Sequence, residues 1–420
     1  MAKPIKSDAT RAHAAPRRSL VQRECPKTWP MILTRCPVCA VELPPLTAKQ
    51  CSRCKTRYCG RECQKTHWEG GHDTLCKKIR KDGGAEQYNA NKKYAEAVSI
   101  AAEACAEDTK GQTCYICTQA LHWKTKEGLV RMCACRGTAG FAHVSCLAEQ
   151  AKILVVEAEE NNLGAKVFNE RFRRWHTCSL CEQQYHGVVK CALGWACWKT
   201  YVGRPETNWP RVHAMTELGN GIFEENHYED VVSLREAQLA IMRRIGASEE
   251  RILTVQGNLA ATYAKMGRKE EALSMFQDIY SGRVRLNGEE YRQTIIAALN
   301  YADTLRRLQR FEEAKALLRK TIPAARRVLG DSKDLTLRIR VNYAMTLYRD
   351  PSATLDDLRE AVKTLEEAGS TAQRVLGGEH PTTVMVGRSL RNARYSRARA
   401  ALRARETPPA RADAIDARGD

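Results

Sequence analysis

The stretch CACRGTAGFAHVSC, residues 133–146, sets two cysteines one residue apart, then a histidine after seven intervening residues, then a cysteine after two more. Taken alone it could be half of a zinc site, a redox pair beside a stray histidine, or four core residues. The neighbours decide. CYIC lies upstream with Cys114 and Cys117, and CSLC downstream with Cys178 and Cys181. Together with Cys133, Cys135, His143 and Cys146 they make four close pairs, eight ligands in all, enough for two closed tetrahedral zinc sites. A redox pair needs a lone, exposed, low-pKa thiolate, and six further ligands in register argue against it.

The same chemistry stands further upstream. CPVC at 36–39 and CSRC at 51–54 are followed by Cys59, Cys63, His72 and Cys76. His67 competes with His72: it lies one helical turn after Cys63, whereas His72 lies one turn before Cys76. This segment has too few apolar residues to fold without metal. Of the 18 cysteines only Cys25, Cys105, Cys191 and Cys197 fall outside these patterns, and Cys191 and Cys197 read as packing residues of an apolar helix. Paired cysteines without a secretory signal point to metal ligation in a reducing compartment, so the expected location is intracellular, cytoplasmic or nuclear. The longest apolar run, residues 188–198, is about half of the ~20 residues that span a membrane, so no membrane helix is expected.

The first module resembles a MYND finger, with Tyr58-Cys59, Cys63-Gln64 and Trp68 matching as well as the ligands do. That resemblance implies cross-bracing, one zinc on Cys36, Cys39, Cys59 and Cys63 and another on Cys51, Cys54, His72 and Cys76, and its register favours His72 over His67. The second module is similar to a RING-CH domain in its single-residue CxC spacer, its long gap to the histidine, and Arg136-Gly137 and Cys146-Leu147. The resemblance implies Cys114, Cys117, His143 and Cys146 on one ion and Cys133, Cys135, Cys178 and Cys181 on the other, with His176 a spare. It further implies a ubiquitin-conjugating enzyme as partner, with Ile116 matching the apolar residue that contacts it. The pattern departs from the family at Gln150, where many members carry Trp, and in the long segment 147–177, which reads as an inserted helix. Four structural Zn2+ ions are expected, and closed four-ligand sites leave no position for Lewis-acid catalysis.

Beyond about residue 205 cysteine vanishes and the chain repeats itself. NLAATYAKMGRKEEAL begins at Asn258, NYADTLRRLQRFEEAK at Asn300 and NYAMTLYRD at Asn342, a period of 42 in both steps. Gly288 and Gly330 keep the same period; Gly377 is late by five because DPSATLDD lengthens a loop. Such a period with a helical pattern means stacked helix pairs. The region resembles tetratricopeptide repeats of the long kinesin-light-chain form, a family whose concave face binds extended peptides. Asn258, Asn300 and Asn342 recur in register there, as peptide contacts or as bonds between repeats.

The expected fold is therefore multi-domain: two small cross-braced zinc-finger modules followed by an all-α helical-repeat solenoid. Its parts are a disordered basic arm (1–33), the MYND-type finger (34–78), a helical spacer (79–110), the RING-CH-like domain (111–187), repeats with a capping helix (188–405) and a disordered tail (406–420). Chelation is expected to unfold 34–185 while leaving the helical signal of the repeats largely intact. The expected function is protein–protein interaction, as a ubiquitin ligase or adaptor, or alternatively as a peptide-binding scaffold with purely structural zinc. A net charge of +19 and the acid-free segment 388–405 make nucleic acid a third and weaker partner class; a solvated cap is the commoner meaning of such a run.

Overall fold

The computed structural model describes residues 35–44 and 47–406; the arm read over 1–33 and the tail beyond 406 lie outside them. Near the N-terminus, β1 (Lys49–Gln50) pairs antiparallel with β2 (Arg57–Tyr58), Lys49 opposite Tyr58. Two short helices follow, α1 (Arg61–His67) and α2 (Asp73–Lys81), then the spacer helix α3 (Ala85–Ala104). The segment read as one inserted helix is two, α4 (Val144–Glu160) and α5 (Ala165–Phe172), with a 3-10 turn over Arg173–Trp175. Asn161, Asn162 and Gly164 separate them, with Asn162 in the left-handed region at φ 48°.

The apolar run forms α6 (Gly187–Tyr201), hydrophobic on all sides and buried nearly throughout, including Cys191 and Cys197. Four helix pairs or parts of pairs follow: α7 (Trp209–Glu224) with α8 (Tyr228–Arg244), α9 (Glu249–Lys265) with α10 (Lys269–Asn287), α11 (Arg292–Arg307) with α12 (Phe311–Leu329), and α13 (Asp334–Arg349) with α14 (Leu355–Val375). The last helix, α15 (Pro381–Glu406), caps the array. The repeat markers fall on equivalent places. Gly288, Gly330 and Gly377 each end or follow a second helix with φ of 73°, 93° and 92°, a conformation that Gly adopts without cost. Arg268 grips Glu271, and 42 residues on Arg310 grips Glu313, both at the start of a second helix. Two of the five extra residues lie in the turn before α14, closed by a capping box of Thr354 and Asp357, and the other three lengthen the stretch from the start of α14 to Gly377.

The largest core does not respect the division between fingers and repeats. Val144, Leu147, Phe172 and Trp175 of the second zinc module pack in one cluster with Val98 of α3, Leu193 and Trp198 of α6, Met215 and Leu218 of α7, and Leu234 and Ile241 of α8. Two glycines bring α6 and α7 backbone to backbone. A Cβ on Gly194 would lie 2.8 Å from the Glu217 carbonyl oxygen, and one on Gly221 2.8 Å from the Cys191 Cα. Gly221→Ala is expected to cost about 1–3 kcal/mol by forcing the helices apart, seen as a lower denaturant midpoint; an unchanged midpoint would show that the pair yields. Beside this contact Glu217 meets His176 at 3.2 Å, and although burial pushes its carboxyl up, His176, Lys190 and His213 hold it below the usual range. His176 thus serves the junction rather than a metal.

Candidate metal centres

Each CxxC pair opens a tight turn, and the four turns are alike. The residue after the second cysteine is left-handed in every case: Ala40, Lys55, Thr118 and Glu182, with φ between 55° and 64°. Its N–H donates back to the carbonyl of the first cysteine, 2.8–3.0 Å away. The turn aims two thiols at one point and directs N–H groups at the first of them. Hydrogen bonds from N–H groups favour thiolate. Burial alone pushes Cys36, Cys51 and Cys114 up, yet these N–H groups hold all three below the ordinary thiol range, Cys36 at about 7. Cys178 is lowered first by the Cys133 and Cys181 thiols and then by the same kind of N–H contact. Cys76 and Cys135 are pushed up to about 12, chiefly by burial, so an entering cation must displace their protons.

These turns assemble four groups: Cys36, Cys39, Cys59 and Cys63; Cys51, Cys54, His72 and Cys76; Cys114, Cys117, His143 and Cys146; Cys133, Cys135, Cys178 and Cys181. Within each group the donor atoms lie within 4.8 Å of one another. The measured Sγ–Sγ separations include 3.4 Å for Cys39–Cys59, 3.8 Å for Cys51–Cys76 and 3.7 Å for Cys135–Cys178. A disulfide spans about 2.05 Å, whereas a zinc tetrahedron with ~2.3 Å bonds has edges of roughly 3.8 Å. All described cysteines are free thiols. The four groups fit four zinc ions.

The histidines are oriented for this. His143 turns Nδ1 to Cys117 and Cys146, at 3.3 and 3.6 Å, while Nε2–H donates to the Ala120 carbonyl at 3.3 Å, which fixes the tautomer. His72 presents Nε2 to Cys54 at 3.3 Å. His67 stands apart from the quartet, its Nδ1 2.9 Å from the Tyr58 hydroxyl, and burial holds it at about 4, neutral at physiological pH. A fifth turn of the same shape, unread in the sequence, runs from His122 to Lys126: Lys126 N–H donates to the His122 carbonyl and Lys126 has φ 59°. Here Thr125 occupies the second ligand position and donates its N–H to His122 Nδ1 at 3.2 Å, so hydrogen bonds close the loop.

Ile116 and Leu180 take the same position in CYIC and CSLC, and are 36% and 51% exposed. Their turns are tied by Tyr115 and Ser179, whose hydroxyls lie 3.0 Å apart. Leu180 was legible from that parallel and was missed. Gln150 sits half-buried on α4. The asparagine ladder divides. Asn342 is buried and its amide donates to Asp303 of the preceding repeat at 3.0 Å, while Asn258 and Asn300 are half-buried on α9 and α11.

Family models match on both sides of this geometry. The MYND finger matches residues 35–76 and the RING-variant domain 114–181, while two tetratricopeptide repeat families match 252–290 and 293–350. The chain carries a MYND finger, a RING-variant domain and tetratricopeptide repeats. Solved structures similar to it include BtubC (BKLC) from P. vanneervenii, at 15% identity over 64% of this chain and 95% of that one, TM-score 0.37. A protein of Podosopora anserina described as a kinesin light chain with nearly identical TPR-like repeats matches at 16% identity, 56% and 98% coverage, TM-score 0.34. The TPR2AB domain of yeast Sti1, in its complex with pHSP90, matches at 14% identity, 60% and 99% coverage, TM-score 0.19. No curated protein matches the chain. Among the described residues no helix is long and apolar enough to cross a membrane.

Proposed function

We propose that this chain is a ubiquitin ligase or ligase adaptor, in which the RING-variant domain recruits a charged conjugating enzyme and the MYND finger and repeats recruit the protein to be modified. The observation that supports it is the pair Ile116 and Leu180, apolar and exposed at the tips of two rigid zinc turns joined through Tyr115 and Ser179. Exposed apolar residues on rigid supports suit a protein contact. With closed zinc sites the catalytic effect would be one of positioning, holding the conjugating enzyme's thioester for attack. On the MYND finger Trp68 and Leu75, each 39% exposed, are candidates for holding a proline-containing peptide, as the family resemblance implies.

The test is discharge of ubiquitin from a panel of charged conjugating enzymes by the full chain, because the RING-variant core is shared with α3 and α6–α8 and a cut-out fragment would lack its partners. Discharge is expected to fall at least about tenfold in Ile116→Ala and Leu180→Ala with zinc content unchanged. If no enzyme responds to zinc-loaded protein, the reading fails and the scaffold takes its place. Gln150, standing where many relatives carry Trp, favours that second reading.

A further inference from the structure

The first helices of successive pairs touch one another, α9 with α11, α11 with α13, and α13 with α15, while among the described residues the second helices make no comparable contact. The first helices therefore line the inner, concave side of the array. The RING-variant domain touches the array at both ends, at α7 and at the α14–α15 junction. At the near end Phe168 and Phe172 pack on His213 of α7, with ring centroids 6.3 and 5.1 Å apart. Further along, Arg173 lies within electrostatic reach of Arg292 at the start of α11, whose guanidinium burial first and then this second charge hold below the usual arginine range. At the far end His186, the residue before α6, meets His380, just before α15, edge to face at 5.9 Å. Beside it Arg136, which follows the zinc ligand Cys135, donates to the carbonyl oxygens of Gln373 and Arg374, at 2.8 and 3.3 Å. Those carbonyls belong to the last turn of α14, where a helix carries its negative end and a cation is favoured. Gly377, at φ 92°, turns the chain so closely over the guanidinium that a Cβ would lie 3.4 Å from Nε.

We infer that the concave face of the repeats is held in cis by the RING-variant domain, with Arg136 as the latch that closes the last repeat onto it. The geometry separates two surfaces. Ile116 and Leu180 both remain exposed, so a conjugating enzyme could dock with the latch closed. The inner face of α9, α11 and α13 lies between these end contacts, and an extended peptide running the length of it must part them. The inference goes beyond the ligase reading and stands without it.

The decisive experiment is hydrogen exchange and small-angle scattering on the full zinc-loaded chain, comparing wild type with Arg136→Glu, Arg136→Lys and His380→Ala. Arg136→Glu sets a carboxylate against two carbonyl oxygens, and exchange across residues 370–386 should quicken at least about tenfold while the radius of gyration rises. Arg136→Lys, which keeps one charge but not the forked donor, should fall between. His380→Ala, on the opposite side of the contact, should reproduce the regional change with four zinc ions retained, which keeps the test open should Arg136→Glu lose metal. Wild-type exchange and scattering in both Arg136→Glu and His380→Ala would overturn the latch. Failure of every variant and the wild type to discharge ubiquitin would instead strike only the ligase reading.

Discussion

Removing zinc from the intact chain is expected to unfold α6, α7 and α8 together with both fingers, leaving α11–α14 folded. A structural zinc site contributes about 10–16 kcal/mol to the folding of a small domain at pH 7, more than the RING-variant segment recovers from its own apolar residues. Its buried side chains Val144, Leu147, Phe172 and Trp175 face α6–α8. Once the zinc turns open, the inner faces of those three helices lose their cover. The later repeats have a separate core, built from residues such as Leu299, Leu318, Leu337, Leu347 and Leu365, and keep it. Hydrogen exchange during chelation should show protection lost over 187–244 and kept over 292–375. If 187–244 stays protected while the fingers melt, the shared core is not cooperative and the simpler division read from the sequence is the right one.

The second large effect belongs to two tryptophans. Trp175, in the turn after α5, and Trp198, in α6, are each 1% exposed, and Trp175 sets its ring edge-on to Tyr201 at 5.8 Å. Trp175→Ala and Trp198→Ala should each cost about 3–5 kcal/mol, because the surrounding helices are pinned by Gly194 and Gly221 and cannot collapse into the space. Trp123 supplies the contrast: it is 68% exposed, and Trp123→Ala should stay within about 0.5 kcal/mol of wild type. Denaturant titration of the three variants, followed by helical signal, checks the ranking; equal losses would mean that burial is not what makes the first two matter.

What could be read in advance follows the range of the forces involved. The sixteen candidate ligands were legible because a tetrahedral ion constrains neighbours two to four residues apart, and that constraint prints itself as short Cys/His pairs such as CxxC and CxC. The choice between His67 and His72 was not fixed by spacing; the structure gives His67 a hydroxyl partner in Tyr58 and turns His72 to Cys54. The repeats were legible through their period, since each must bury the same face against the next. The all-apolar α6 announced burial but not against what, because a helix that is hydrophobic on every side carries no direction. Its partner α7 is chosen by two glycines 27 residues apart, Gly194 and Gly221, whose meaning appears only when the backbones meet. Asn342 shows the same limit: its period was visible, but Asp303, which receives its amide, is set by how one repeat stacks on the next.

The latch has a consequence for the order in which the chain becomes itself. Every element of the shared core has been synthesised by residue 244, the end of α8, whereas the carbonyls that Arg136 engages belong to Gln373 and Arg374. Those arrive roughly 130 residues later, about 6–26 s at ~5–20 residues per second on the ribosome. During that interval each new helix pair adds to an inner face that no final repeat has yet closed. A nascent chain is thus open to a partner for seconds in a way the finished one is not, and a complex made during synthesis would differ in kind from one made afterwards.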